Sequence, residues 1–148
     1  MSHETLEARS ALKTLVDTFS TLADQGRIAD QILLLTPDAN VQVYMGDDLV
    51  FDLVGARQVE EAFAAFAATM RRSFHLNGQH VVELDGDAAT GITYCQVKHV
   101  SDADGHEVIT DSSVRYDDTY VRRDGRWFIS RRIARFTMHE TRALHPAS

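Results

Sequence analysis

Three Asp-Gly dipeptides organise the second half of this chain. They lie in "LDGDAA", "DADGHE" and "RRDGRW", and each separates two runs rich in Val, Ile, Thr, Tyr and Phe. Tight hairpin turns favour this dipeptide because their backbone needs positive φ, which Gly adopts freely and Asp tolerates. The runs "FHLNGQHVVEL", "AATGITYCQVKHV", "VITDSSVRYDDTYVRR" and "RWFISRRIARFTM" therefore predict a meander of four long antiparallel strands.

The first half has a different period. Leu12, Leu15, Val16, Phe19, Leu22 and Ala23 recur at three- and four-residue spacing with no Gly or Pro before Gly26, which predicts a helix over 4–25. A shorter helix is expected in "IADQILLL", ending at Thr36-Pro37 because proline disfavours helix in the residue before it. "ANVQVYM" and "LVFDLV" around "GDD" predict a hairpin, and the stripe Val59, Ala62, Phe63, Phe66, Ala67, Met70 predicts a third helix over 57–73. Helices grouped early, with strands grouped late, give an α+β class. The 148 residues make a single domain, with about 137–148 read as a loose C-terminal tail.

Two registers follow from the turns. With Asp124-Gly125 as a two-residue turn, Asp118 faces Arg131 and Asp117 faces Arg132, so both acids meet a guanidinium. With three residues in the "DGD" loop, Leu84 faces Ala88, Asn77 faces Cys95, Gln79 faces Thr93 and His75 faces Val97. This places His75, Asn77, Gln79, Thr93 and Cys95 on one half-polar face, suited to a mostly apolar ligand carrying a few oxygens; a two-residue turn would face Cys95 away.

Asp and Glu outnumber Lys and Arg by 22 to 15, a formal charge of −7 that disfavours nucleic acid as a partner. Cys95 is the one cysteine, and neither an apolar leader nor a run of about 18 apolar residues is present, so a cytoplasmic location and no membrane association are expected. His80, His99, His106 and His139 lack metal-ligand spacing, and no glycine-rich phosphate loop occurs, so neither a metal nor a cofactor is expected.

In their order, "TLAD", "TPDANVQV", "FHLNGQ", "LDGDAATGITYCQV" and "YVRRDGRW" resemble the SnoaL-like branch of the nuclear transport factor two-like superfamily. The resemblance covers nearly the whole chain. It implies a cone-shaped roll of three N-terminal helices packed on a strongly curved, mostly antiparallel sheet, with a pocket inside. Scytalone dehydratase, ketosteroid isomerase, polyketide cyclases and small subunits of ring-hydroxylating dioxygenases share that cone, so the fold alone names no reaction.

Scytalone dehydratase offers the nearest catalytic comparison, with two histidines and a helix-exit aspartate as its acid–base set. His75 falls where the first histidine lies, Cys95 stands in place of the second, and Arg27 stands in place of the aspartate, with Asp24 and Asp30 nearby. The resemblance implies a cofactor-independent lyase or isomerase for a cyclic polyketide- or steroid-like substrate, or another small apolar or aromatic molecule. His75 would move the proton, Asn77 would steady an oxygen, and Asp24 would be a further base candidate.

Tyr44, Phe66, Met70, Gln79, Thr93, Cys95 and Tyr116 complete the expected binding set, although alternation with Val41 and Val43 turns Tyr44 outward. A non-catalytic ligand-binding protein and a structural oxygenase subunit are the alternatives. Large residues on both faces of the last strands lead to an expected homodimer through the outer sheet face.

Overall fold

The computed structural model describes residues 1–145. Helix α1 runs His3–Asp24, α2 Ile28–Ile32 and α3 Ala56–Ala67, and the strands are β1 Leu35–Met45, β2 Asp48–Val54, β3 Arg72–Asp85, β4 Ala88–Ala103, β5 His106–Arg123 and β6 Arg126–Ala143. They form one six-stranded sheet in the order β2-β1-β6-β5-β4-β3. Every neighbouring pair is antiparallel except β1 and β6, which run parallel. The sheet is open and mixed, with helices against its inner face, so the expected α+β cone is what the chain forms. No helix among the described residues is long and apolar enough to cross a membrane.

The Ser2 hydroxyl caps α1 by accepting the Thr5 N–H at 3.1 Å. The predicted stripe is the buried face: Leu12 and Val16 are fully buried and Phe19 is 3% exposed. Each such side chain contributes about 1.5–3 kcal/mol. The helix ends where Gly26 takes φ +69°, letting the Arg27 N–H return to the Leu22 carbonyl at 2.9 Å. Asp24 is thereby the last helical residue, at the inner end of β3.

Several expected boundaries shift. Helix α3 stops at Ala67, not 73, because the Arg71 N–H donates to the Val100 carbonyl at 2.8 Å and β3 begins pairing at Arg72. Helix α2 is a single turn, and Leu35, at the end of the expected helix, already pairs with Ile129 in β1. Residues 137–143, expected as tail, continue β6 and pair with β5 as far as Val108 with Ala143; 146–148 lie outside the described residues.

Both register expectations are altered by bulges. The β5–β6 hairpin follows its two-residue turn from Arg123/Arg126 to Tyr120/Ile129, then slips by one, so that Asp118 faces Arg132 and Asp117 faces Ile133. Asp118 therefore meets Arg132, not Arg131, and Asp117 pairs with Arg135 at 2.7 Å across the other face. In β3–β4 the turn holds two residues, with Asp85 opposite Ala88, and a bulge between Asn77 and His80 restores the expected pairs below it: Asn77 with Cys95 and His75 with Val97. Gln79 falls in the bulge and is exposed, and His80 takes its expected place opposite Thr93.

The core holds a buried ionic cluster. Arg132 donates to both Asp118 oxygens at 2.8 and 2.9 Å, Tyr120 donates its hydroxyl to Asp118 at 3.0 Å, and His80 Nε2 lies 3.1 Å from that hydroxyl. The guanidinium lies over the rings of Tyr116 and Phe19, 4.0 and 4.8 Å from their centroids. Gly91 is the gap that admits Tyr120: a Cβ there would meet the Tyr120 ring and hydroxyl at 2.8 Å and Val82 at 3.1 Å. Tyr120 is fully buried and hydrogen-bonded, so it has little room to yield. Gly91→Ala is expected to cost about 1–3 kcal/mol of overpacking strain, visible as a lower urea midpoint with an unchanged slope.

Candidate active site

The end of α1 and the first half of β3 bring a carboxylate and an imidazole together. His75 Nδ1 lies 2.6 Å from Asp24 Oδ1, the His75 backbone N–H donates to Asp24 Oδ2 at 2.8 Å, and the Ser73 hydroxyl donates to Oδ1 at 2.9 Å. The two side chains are 14% and 24% exposed. Burial pushes the Asp24 carboxyl up, but the hydrogen bonds from the His75 side chain and backbone and from Ser73, with the attraction of His75, hold it below its ordinary value. An ionised carboxylate only accepts, so Nδ1 of a neutral His75 carries the proton and Nε2 presents its lone pair. Among the described residues Nε2 has no hydrogen-bond partner.

Sequence reasoning weighed His99 only for metal spacing, yet it belongs to the same wall. From β4 it pairs with Ser73 of β3, one alternation beyond the His75–Val97 pair, and its ring centroid is 6.0 Å from that of His75. Phe66 of α3 packs edge-on against it at 5.1 Å, and Met70 is half-buried just past the helix. Extending the β3–β4 register by two residues would have found it.

Burial, reinforced by the neighbouring His75 and opposed by Asp24, lowers the His99 pKa from 6.5 to about 4. The folded state then binds fewer protons than the unfolded state between these values, so stability rises with pH across that window and falls on acidification. The loss on going from pH 7 to pH 5 is about 2 kcal/mol by linkage. Urea unfolding at the two pH values should show this difference shrinking in His99→Phe.

The remaining candidates divide. Cys95, Thr93 and Tyr116 lie on the inner face, 4%, 0% and 7% exposed. Burial pushes the Cys95 thiol up to about 11 and raises the Tyr116 phenol, so both stay protonated. Asn77 faces inward, but its amide is engaged by α1: Nδ2 donates to the Val16 carbonyl at 3.2 Å and Asp17 Oδ1 at 3.0 Å, and Oδ1 accepts from Ser20 at 3.4 Å. It ties α1 to β3 in place of the oxygen-binding role expected of it. Tyr44 points to the outer face, with Arg135 5.1 Å over its ring, and exposed Gln79 is displaced by the bulge. Arg27 pairs with Asp30 at 2.8 Å, away from the dyad.

Among the described residues no three metal-ligating side chains converge. Two surface clefts of about 370 and 410 Å³ open beside the 123–128 turn and on the outer side of α1, and neither includes the dyad. The site is marked by its hydrogen-bonded carboxylate, not by the size of a hollow.

An open, curved sheet with helices on its inner face and a hydrogen-bonded Asp–His pair at the end of the first helix defines a cone-shaped α+β domain. The chain belongs to the SnoaL-like domain family, whose model matches residues 4–133. No curated protein matches it in sequence. Among solved structures it is similar to a protein provisionally named a scytalone dehydratase from Novosphingobium aromaticivorans, at 20% identity and TM-score 0.81, covering 100% of this chain and 95% of that one. It is also similar to a hexachlorocyclohexane dehydrochlorinase, at 16% identity and TM-score 0.79, covering 97% and 95% of the two chains. A third is the β subunit of a provisionally named aromatic-ring-hydroxylating dioxygenase from N. aromaticivorans, at 17% identity and TM-score 0.78, covering 92% and 93%. At these identities the likeness establishes the fold.

Proposed function

We propose that the protein is a cofactor-independent lyase or isomerase of a cyclic, polyketide- or steroid-like small molecule, with His75 as its acid–base group and Asp24 as the carboxylate that holds it. The observation that carries this reading is the 2.6 Å contact between Asp24 Oδ1 and His75 Nδ1, which leaves Nε2 available. In an elimination, Nε2 takes a proton from the carbon beside a carbonyl. The released pair forms a C=C bond as the bond to a leaving hydroxyl breaks, and the proton departs with that hydroxyl as water. In an isomerisation the same proton returns at another carbon. Either way the ionised Asp24 stabilises the transient imidazolium.

Proton abstraction can be read without the natural substrate, by following the loss of the α-proton NMR signals of 1-tetralone in D₂O. Catalysed exchange that disappears in His75→Ala supports the reading. Exchange at the uncatalysed rate in the wild type would favour a non-catalytic ligand-binding or oxygenase-subunit role.

The outer face of β3 and β4 exposes Phe74, Leu76, Val81, Ile92 and Tyr94. A homodimer through this face is part of the proposal, because a contiguous apolar strip of this kind marks an interaction surface. Sizing in solution should return twice the chain mass, and Leu76→Glu should return a monomer; a wild-type monomer would refute the dimer. A reducing, cytosolic setting accords with a single buried thiol.

A further inference from the structure

We propose that Asn77 is a positioning residue for the Asp24–His75 pair, fixing where α1 lies along β3 so that the carboxylate meets the ring. Its effect on rate rests on the acid–base reading of His75, whereas its effect on the contact does not.

The side-chain ties between α1 and β3 occur in reverse chain order. Arg9 donates to the Val82 carbonyl at 3.3 Å, Asn77 meets residues 16–20, and Asp24 meets Ser73 and His75, so the helix runs antiparallel to the strand. β3 is an edge strand paired with β4, and α1 packs against it. Asn77 makes the middle tie, and both ends of its amide are engaged there: Nδ2 donates to the Val16 carbonyl at 3.2 Å and to Asp17 Oδ1 at 3.0 Å, while Oδ1 accepts from the Ser20 hydroxyl at 3.4 Å. Lys13, one turn earlier, donates to the same Asp17 oxygen at 2.7 Å and steadies that acceptor.

Helical spacing connects this tie to the pair. Asp17, Ser20 and Asp24 recur at three and four residues, so one polar stripe of α1 faces β3 beside the apolar stripe that faces the core. On β3, Asn77 and His75 are two residues apart on the same inward face. Directional polar contacts fix a register that apolar packing alone leaves free to slide. Sliding a helix by one residue moves it about 1.5 Å, and a displacement of that size along the 2.6 Å contact of Asp24 with His75 exceeds the reach of a hydrogen bond. Asp24 is the last residue of α1, and its partners are His75 itself and Ser73 on the same strand. They hold the carboxylate once it arrives; the tie at Asn77 sets where the helix delivers it.

The test follows α-proton exchange of 1-tetralone and the NMR signal of the His75 Nδ1–H in wild type, Asn77→Leu, Asp24→Asn and the double variant, each shown to be folded at pH 7 by its urea unfolding curve. Leucine keeps the shape and strands little, since the Ser20 hydroxyl can turn back to the Val16 carbonyl and Asp17 keeps Lys13. Asn77→Leu is expected to slow exchange at saturating ketone by about 10–100-fold, the scale of an ångström's misplacement, with little change in KM. The Nδ1–H signal, which a short bond to an ionised carboxylate should place far downfield, should move upfield in this variant. In the Asp24→Asn background the same substitution should cost little more, because both act through one contact. An unmoved signal or, with an active wild type, an unchanged rate would overturn the inference, as would losses that multiply in the double variant. If the wild type shows no exchange, the proposed function falls and the Nδ1–H signal alone decides this inference. Should Asn77→Leu fail to fold, Asp17→Ala with Ser20→Ala removes two of the three ties from the helix side and is read in the same way.

Discussion

Asp24→Asn should slow α-proton exchange of 1-tetralone by about 10²–10⁴-fold, the range seen when a positioned acid–base group or its orienting carboxylate is lost. The amide can still accept from the His75 backbone N–H, so the fold should survive. What changes is the side-chain contact at 2.6 Å, where an ionised acceptor becomes a neutral group that can also donate. Nδ1 is then no longer obliged to carry the proton, and the imidazolium formed during the reaction loses its counter-charge. With Asp24 held below its ordinary carboxylate range by its hydrogen bonds, the carboxylate is ionised at neutral pH, so the variant removes a charge as well as an acceptor. Wild-type rates in this variant would show that the contact is structural.

The second large effect concerns stability. Asp118→Ala is expected to cost about 3–5 kcal/mol, because it strands a buried guanidinium. The Arg132 and Asp118 side chains are 4% and 0% exposed, and the bidentate contact neutralises both. The two aromatic faces over Arg132 cannot replace it, since each cation–π contact contributes about 0.5–2 kcal/mol and the loss also takes the acceptor of the Tyr120 hydroxyl. Denaturant unfolding measures the loss. The double change Asp118→Leu with Arg132→Met should be much closer to wild type than either single change, because it removes both charges together. If the single change costs under 1 kcal/mol, the pair is already hydrated in solution and the buried cluster is not what holds β5 to β6.

These features differ in how much of them the chain announces. The α1 stripe and the Asp-Gly turns are local signals, and both elements formed where they were expected. The bulges are not local. A bulge is one additional residue on one strand, chosen by how the curved sheet must bend, and it leaves little trace in composition. Hence Asp118 and Arg132 were both recognised as members of ion pairs yet assigned to the wrong partners, and the inward position assigned to Gln79 belongs to His80. In β3–β4 two errors cancelled: a turn one residue shorter than expected and an unforeseen bulge together return His75 opposite Val97.

Asp24 was a candidate with the wrong position for the family comparison. It became a partner of His75 because Gly26 ends α1 at that point, which no alignment of short motifs measures. The extent of β6 was missed for a plainer reason. Residues 137–143 are largely polar, but β5 pairs with their backbone along this stretch, so pairing and not apolar content decides its conformation.

The bulge at 78–79 also divides β3 into two halves of opposite phase. Below it the odd-numbered residues Ser73, His75 and Asn77 face inward; above it the even-numbered His80, Val82 and Leu84 do. One strand thus serves the wall that carries the Asp24–His75 pair with one parity and the packed core with the other, and the added residue acts as a clutch between them. Removing it would leave a regular strand on which only one half could keep its inward face. The irregularity is therefore what lets a single continuous strand belong both to the part of the molecule that holds the carboxylate–imidazole pair and to the part that holds the fold together.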